Sequence, residues 1–258
     1  MTPEISQHRT DISIFDLDRT ITRRGTWSAF LLFAAWNRAP WRLVLVPAVL
    51  AAMLGYKAGL CSRTRLKEMM HHLMIGKTIA RAEINALANR FCMRMLETNI
   101  YPEAIALIDR EIAAGRRVMI ASASSRFYLA PLARALGVKD EIGTRSKWTG
   151  ELLTPRIEGE NCFGQNKRAM MIERFGKLGL ERAAVHIRFY SDDISDRPAF
   201  DWADEPVAVN PSPALARLAT LSGWPILDWR QKERWTKTAA RVPVWAEPLP
   251  SRSASRAE

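Results

Sequence analysis

The chain has 258 residues, 48% of them hydrophobic, enough to bury one sizeable core plus an inserted or appended smaller domain. Its formal charge of +11 suits an anionic partner or surface, but the basic residues are mixed with long apolar runs and no nucleic-acid motif occurs, so no nucleic acid is expected. Three cysteines, Cys61, Cys92 and Cys162, are an odd number without metal-ligand spacing, which argues against a disulfide scaffold and for a reducing compartment.

The N-terminal residues Met1 to Asp11 are polar and carry no apolar stretch of a secretory signal, so the catalytic part is expected in the cytoplasm. Ile12, Ile14, Phe15 and Leu17 then form a short apolar, β-branched run that reads as a central strand of a parallel sheet. Ligand sites in such sheets lie at the carboxyl ends of strands, and here that end carries Asp16 and Asp18. Two carboxylates this close repel each other unless a cation lies between them or one keeps its proton. A hard cation such as Mg²⁺ suits oxygen ligands. On spacing alone the pair reads equally well as loop acids capping a turn that starts with Asp18 and Thr20.

Residues 23–115 read as a helical insertion, with apolar stripes in TWSAFLLFAAW and in the stretch from Ala82 to Gly115, broken at Pro102. Within it, residues 41–57 hold the apolar run LVLVPAVLAAMLGY, flanked by Trp36, Trp41, Arg42 and Lys57. No Asp or Glu occurs between Arg19 and Lys67. The run is shorter than the ~20 residues that span a bilayer, and Pro47 interrupts it. It fits a helix lying in a membrane interface, anchored by Trp and basic residues at an anionic cytoplasmic leaflet. The buried core of a soluble cap is the competing reading. His71 and His72 are adjacent on a helix, point apart, and are expected to pack or face solvent rather than bind metal together.

From residue 116 the pattern returns to strand, helix, strand. RRVMIASAS ends a second strand on Ser122, whose hydroxyl suits either a phosphate oxygen or the cap of the next helix. A turn-rich, β-prone stretch follows, then a helix over NKRAMMIERFGKL with Lys167 in its first turn, where a cation is mildly unfavourable unless it faces negative charge. The strand AVHIRFYS leads into Asp192, Asp193 and Asp196, which suit either a helix cap or the far side of a Mg²⁺ site. The alternation predicts an α/β, doubly wound parallel sheet, Rossmann-like, built from residues 1–22 and 116–230. Residues 231–258 are charged, contain proline and end SRSASRAE, and read as a flexible tail.

The ordered set DLDRT, Ser122 after a strand, Lys167 in CFGQNK, and SDDISD resembles the four motifs of the haloacid dehalogenase superfamily of phosphohydrolases. The WTGEL turn, the Cys162 to Lys167 arrangement and the helical insertion after the first motif are similar to its phosphoserine-phosphatase-like branch. The resemblance implies Asp16 as nucleophile, Asp18 as general acid and base, and Ser122 and Lys167 as phosphate-binding groups. It also implies Mg²⁺ held by Asp16, the Asp18 backbone carbonyl and Asp192, with Asp196 orienting that shell. Two departures stand out: Arg19 where many members have glycine, and Asp193 where serine is common, which opens Asp193 as an alternative metal ligand. The apolar cap segment also resembles, more loosely, the phosphatidylglycerophosphatase C group. The expected substrate is therefore a membrane lipid phosphate, with a soluble metabolite such as phosphoserine as the alternative, and the expected place is the cytoplasmic face of the inner membrane.

Overall fold

In a computed structural model of the chain, residues 9–230 are described, so the expected tail at 231–258 lies outside the described residues. The elements run β1 (Thr10–Phe15), α1 (Thr26–Arg38), α2 (Val46–Lys57), α3 (Arg63–Met74), β2 (Ile79–Ala80), α4 (Arg81–Thr98) and α5 (Pro102–Ala113). They continue with β3 (Arg117–Ser125), α6 (Arg126–Ala135), β4 (Asp140–Thr144), β5 (Ser146–Thr149), β6 (Leu152–Ile157), α7 (Gln165–Lys177) and β7 (Val185–Ser191). The last are α8 (Arg197–Phe200), β8 (Glu205–Val209), α9 (Pro213–Ser222) and β9 (Ile226–Leu227).

Six strands form a parallel sheet in the order β4-β3-β1-β7-β8-β9, the doubly wound arrangement expected from the alternating pattern. The two-residue period of β1 divides its side chains between the faces. Ile12 and Ile14 join Met171 and Phe175 of α7 and Leu215 of α9 in one core, while Phe15 joins Leu107 and Ile108 of α5 and Leu129 of α6 in the other. Phe15 pairs in register with Ile120 on one side and Tyr190 on the other, so the ends of β1, β3 and β7 are level. Asp16, Ser122 and Asp192 therefore emerge along one edge of the sheet.

The helical stretch expected over 23–115 divides in the structure. A bridge between Thr22 and Ile100, with Arg23 N–H donating to Asn99 O at 2.7 Å and Tyr101 N–H to Ile21 O at 3.0 Å, ties together the outgoing and returning chain. Helices α1 to α4 form the cap beyond this tie. Helix α5 instead packs on the sheet, where its buried Glu111 accepts hydrogen bonds from Ser13 and from Arg188 and Tyr190 of β7. An amphipathic helix carries the same stripe whichever apolar surface it covers, which is why the pattern alone extended the insertion through α5. The β5–β6 hairpin adds β2 of the cap to a small antiparallel sheet, a second link between the layers.

Candidate active site

Backbone geometry sets the first motif. Asp16 N–H donates to Tyr190 O at 2.8 Å, continuing the ladder one residue past β1. The chain then turns tightly over Leu17–Ile21, with Arg19 at φ 65°, a left-handed conformation that glycine adopts without cost and other residues rarely occupy. Arg19 is held there by its own N–H to Thr22 Oγ1 at 3.1 Å and by Asn210 Nδ2 donating to its carbonyl at 3.1 Å.

Lys167 reaches from the first turn of α7 to Asp16 Oδ1 at 2.7 Å and to Asp196 Oδ2 at 2.5 Å, with all three side chains buried. Burial works against the charged ammonium, but Asp16 and Asp196 outweigh it and raise its pKa above the ordinary lysine range. The two carboxylates thus supply the negative charge that a lysine near a helix N-terminus needs. Ser191 Oγ donates to the same Asp196 oxygen at 2.6 Å.

Asp18 is half-buried and accepts the Thr26 N–H at 2.8 Å, so it does take part in starting α1, as the turn-capping reading requires. Its other oxygen accepts from Ser124 Oγ at 3.4 Å. Ser124 and Tyr128 hydroxyls both contact Thr26 Oγ1, at 2.8 and 3.2 Å. Burial, then the charge of Asp18, raises the Tyr128 pKa and keeps its phenol protonated, so this network can orient the Asp18 carboxyl.

Ser122 is fully buried, and its Oγ accepts the Ser124 N–H at 3.1 Å. The helix that follows begins after Ser125, so Ser122 does not cap it. Asp192 and Asp193 part company. The Asp193 carboxylate caps a turn by accepting Ser195 N–H at 2.9 Å, while the buried Asp192 carboxylate makes no hydrogen bond.

Asp16, Asp18, Ser122, Lys167, Asp192 and Asp196 all line one cavity of about 540 Å³ between sheet and cap. Burial, followed by the opposing pull of Lys167 and the repulsion of Asp196 and Asp18, leaves the Asp16 pKa at about 7. Burial and the charges of Asp16 and Asp193 raise Asp192 to about 8. Lys167 is bonded to two of these acids, Asp16 and Asp196, and Asp196 Oδ1 is buried without a hydrogen-bond partner. A divalent cation suits that excess of oxygen donors. Among the described residues no three His, Cys, Asp or Glu side chains form a ready metal-ligating group, so a cation here would draw on Asp16, Asp192 and a main-chain carbonyl rather than a cage of side chains.

The cap completes the cavity with residues that composition did not single out. Lys67 of α3 is buried, donates to Ala123 O at 2.5 Å and to Asn161 Oδ1 at 3.0 Å, and lies 5.3 Å from the Trp27 ring centre. Burial and then Arg63 lower its pKa to about 7. In the sequence it is one cation in a basic segment, 56 positions from its carbonyl partner, and only the hydrophobic register around Leu66 and Met70 hinted that it points inward. His71 is likewise buried, with its pKa lowered to about 4 by burial first and His72 second, while His72 is exposed.

The model of the haloacid dehalogenase-like hydrolases matches residues 14–201. A probable phosphatase of Mycobacterium tuberculosis is 28% identical over 226 residues, covering 84% of this chain and 75% of that protein. A solved structure of a Bordetella pertussis protein of unknown function matches with a TM-score of 0.78 at 27% identity, over 85% of this chain and 99% of the other. A phospho-aspartyl intermediate analogue of phosphoserine phosphatase shares the fold, with a TM-score of 0.58 at 15% identity over 85% of this chain and 93% of the other. Taken with the geometry at the strand ends, these matches give the assignment: the chain belongs to the haloacid dehalogenase-like hydrolase family.

Proposed function

We propose that the protein is a Mg²⁺-dependent phosphomonoester hydrolase acting through an aspartyl-phosphate on Asp16, and that its substrate is a membrane lipid phosphate, with phosphatidylglycerol phosphate as leading candidate. The observation that carries the chemistry is Lys167 bridging Asp16 and Asp196 at 2.7 and 2.5 Å beside the free carboxylate of Asp192.

A carboxylate oxygen of Asp16 attacks phosphorus in line, and the ester P–O bond breaks as Asp18 gives its proton to the leaving oxygen. Asp18 then takes a proton from water, whose oxygen attacks phosphorus, and the acyl phosphate opens to free Asp16 and inorganic phosphate. Ser122 and Lys167 hold phosphate oxygens, and Lys167 offsets charge on Asp16 throughout. Mg²⁺, held by Asp16, the Asp18 carbonyl and Asp192 with Asp196 behind them, would neutralise charge on the transferring group.

Support for the lipid comes from the cap. Helix α2 is apolar along almost its whole length yet buries only Val49. Trp36, Trp41 and Leu54 are 67%, 64% and 66% exposed. No described helix is long and apolar enough to cross a membrane, and Pro47 stands in the first turn of α2 rather than breaking it, which fits a short helix lying in the interface. Two of the flanking cations have structural duties: Arg38 and Arg42 donate to carbonyls at the end of α3, at 2.6 Å to Ile75 and 2.8 Å to Leu73. The second reading, a soluble small phosphoester, is favoured by Lys57, Arg63 and Lys67 around a cavity large enough for a metabolite.

Phosphate release should be screened across lipid and soluble monoesters, with Mg²⁺ and with EDTA. Mg²⁺-dependent release from the lipid in vesicles supports the proposal. Fast turnover of phosphoserine without vesicles overturns the lipid substrate, and no release from any monoester overturns the chemistry.

A further inference from the structure

Helices α1 and α4 run antiparallel, as shown by Arg24 N–H donating to Asn99 Oδ1 at one end and Arg90 bonding to Asn37 at the other. Between them lies a groove of about 640 Å³, distinct from the catalytic cavity. Its floor and sides are apolar: Ala29, Leu32, Phe33 and Trp36 recur at helical spacing along α1, facing Phe91 and Met95 of α4. The end near the start of α1 is basic, with Arg23, Arg24 and Arg94, and no acid lines the groove. These three arginines are exposed and form no ion pair among the described residues, although Arg23 stacks on Tyr101 at 4.6 Å.

We propose that this groove binds one acyl chain of an anionic phospholipid, with the head group on Arg23, Arg24 and Arg94 and the chain running toward Trp36. The charge pattern selects this occupant. A neutral apolar segment would leave three guanidinium groups without counter-charge, and a free phosphate would leave the apolar length uncovered. The C-terminal residues 231–258 carry six Lys or Arg against three Asp or Glu, so they would place like charge on a basic rim. At the other end Trp36 and Leu32 are 67% and 45% exposed, continuous with the apolar outer surface of the cap. The proposal rests on the membrane reading of the cap and adds the amphiphile's address on it. Gly25 lines both the groove and the catalytic cavity, so the head-group end adjoins that cavity at Gly25.

The test is calorimetric binding of monomeric dihexanoylphosphatidylglycerol and dihexanoylphosphatidylcholine to the full-length protein at low salt. The anionic lipid should bind roughly tenfold or more tightly, since each nearby cation contributes about 1 kcal/mol toward an anionic lipid. Arg23→Gln, Arg24→Gln and Arg94→Gln together should erase that preference, and Leu32→Glu should weaken both lipids; circular dichroism checks that the variants fold. Equal affinity for the two lipids, equally tight binding of inorganic phosphate, or an unchanged preference in the triple variant overturns the proposal. Tighter lipid binding after removal of residues 231–258 also overturns it, by giving the groove to the chain's own C-terminus. Mg²⁺-dependent release of phosphate from a soluble ester by the unaltered protein reports the catalytic reading separately, so either can fail alone.

Discussion

The sheet and the cap handle charge in opposite ways. Under the sheet, Glu111 is shared by Ser13, Arg116, Arg188 and Tyr190, and at its carboxyl edge Lys167 is shared by Asp16 and Asp196. These side chains are buried or nearly so and each holds a fixed partner, although one oxygen of Asp196 is left without a hydrogen bond. On the outer side of the cap, Arg23, Arg24 and Arg94 are exposed and, among the described residues, without an ion-pair partner, in the groove that Leu32 and Trp36 line. A buried, fully partnered charge has one geometry and can serve chemistry, whereas an exposed cation next to apolar surface has its contacts still to make.

Four experiments strain this division, beginning with the largest effect. Asp16→Asn should lower kcat by ~10³-fold or more while leaving the fold and the cap's lipid contacts unchanged. Lost vesicle binding in that variant would show that the two regions do not act separately. Lys167→Met leaves two buried carboxylates without their cation and should cost about 3 kcal/mol of stability in urea unfolding. A loss much below 1 kcal/mol would mean the carboxylates stay protonated and the bridge matters little. Leu54→Glu, on the outer side of α2, should reduce vesicle partitioning roughly tenfold by placing a charge where an apolar side chain meets the interface, with hydrolysis of a soluble ester unaffected. Unchanged partitioning would remove α2 from the membrane surface.

The smallest effect is a pH slope. Asp16 and Asp192 have pKa values raised to about 7 and about 8, so in the metal-free native state they hold protons that the unfolded chain has released. Their contribution to stability is present below the ordinary carboxylate pKa and is lost as pH rises through those values. Thermal unfolding in EDTA should therefore show a midpoint that falls from about pH 4 to about pH 8. Saturating Mg²⁺ should flatten the slope, because a cation on the same oxygens favours their charged forms. A slope indifferent to Mg²⁺ would place the cation elsewhere.

The strands that carry the site were legible because a parallel strand buried on both faces needs a dense apolar pattern, and Ile12, Ile14 and Phe15 in β1 and Val185, Ile187, Phe189 and Tyr190 in β7 supply it, with Ser13, His186 and Arg188 between them. Asp16, Lys167 and Asp196 could be proposed because each follows a strand or opens a helix at a fixed place in that pattern. Their bonding could not, since Lys167 and Asp16 are 151 positions apart. Ser124, Thr26 and Tyr128 went unnoticed because hydroxyls near a strand end look alike until packing decides which face Asp18. The ambiguity between Asp192 and Asp193 was one of neighbouring backbone angles, which sequence does not carry. Lys67 was hidden by its company: among so many cations, only the apolar register of Leu66 and Met70 marks the one that turns inward.

The turn at Arg19 links the start of the chain to its far end. Its left-handed backbone is held by Asn210, a second non-glycine residue at positive φ, 191 positions later. Asn210 in turn accepts the Trp229 N–H at 2.7 Å and donates its own N–H to Leu227 of β9 at 2.7 Å. The loop after Asp16 thus receives its support from a residue that β9, the last described strand, holds in place. A chain still being made has β1 and both acids of the first motif long before it has Asn210. On this account the first motif takes its final geometry late in synthesis, once β9 has docked, well after the helices between β1 and β3 have been made.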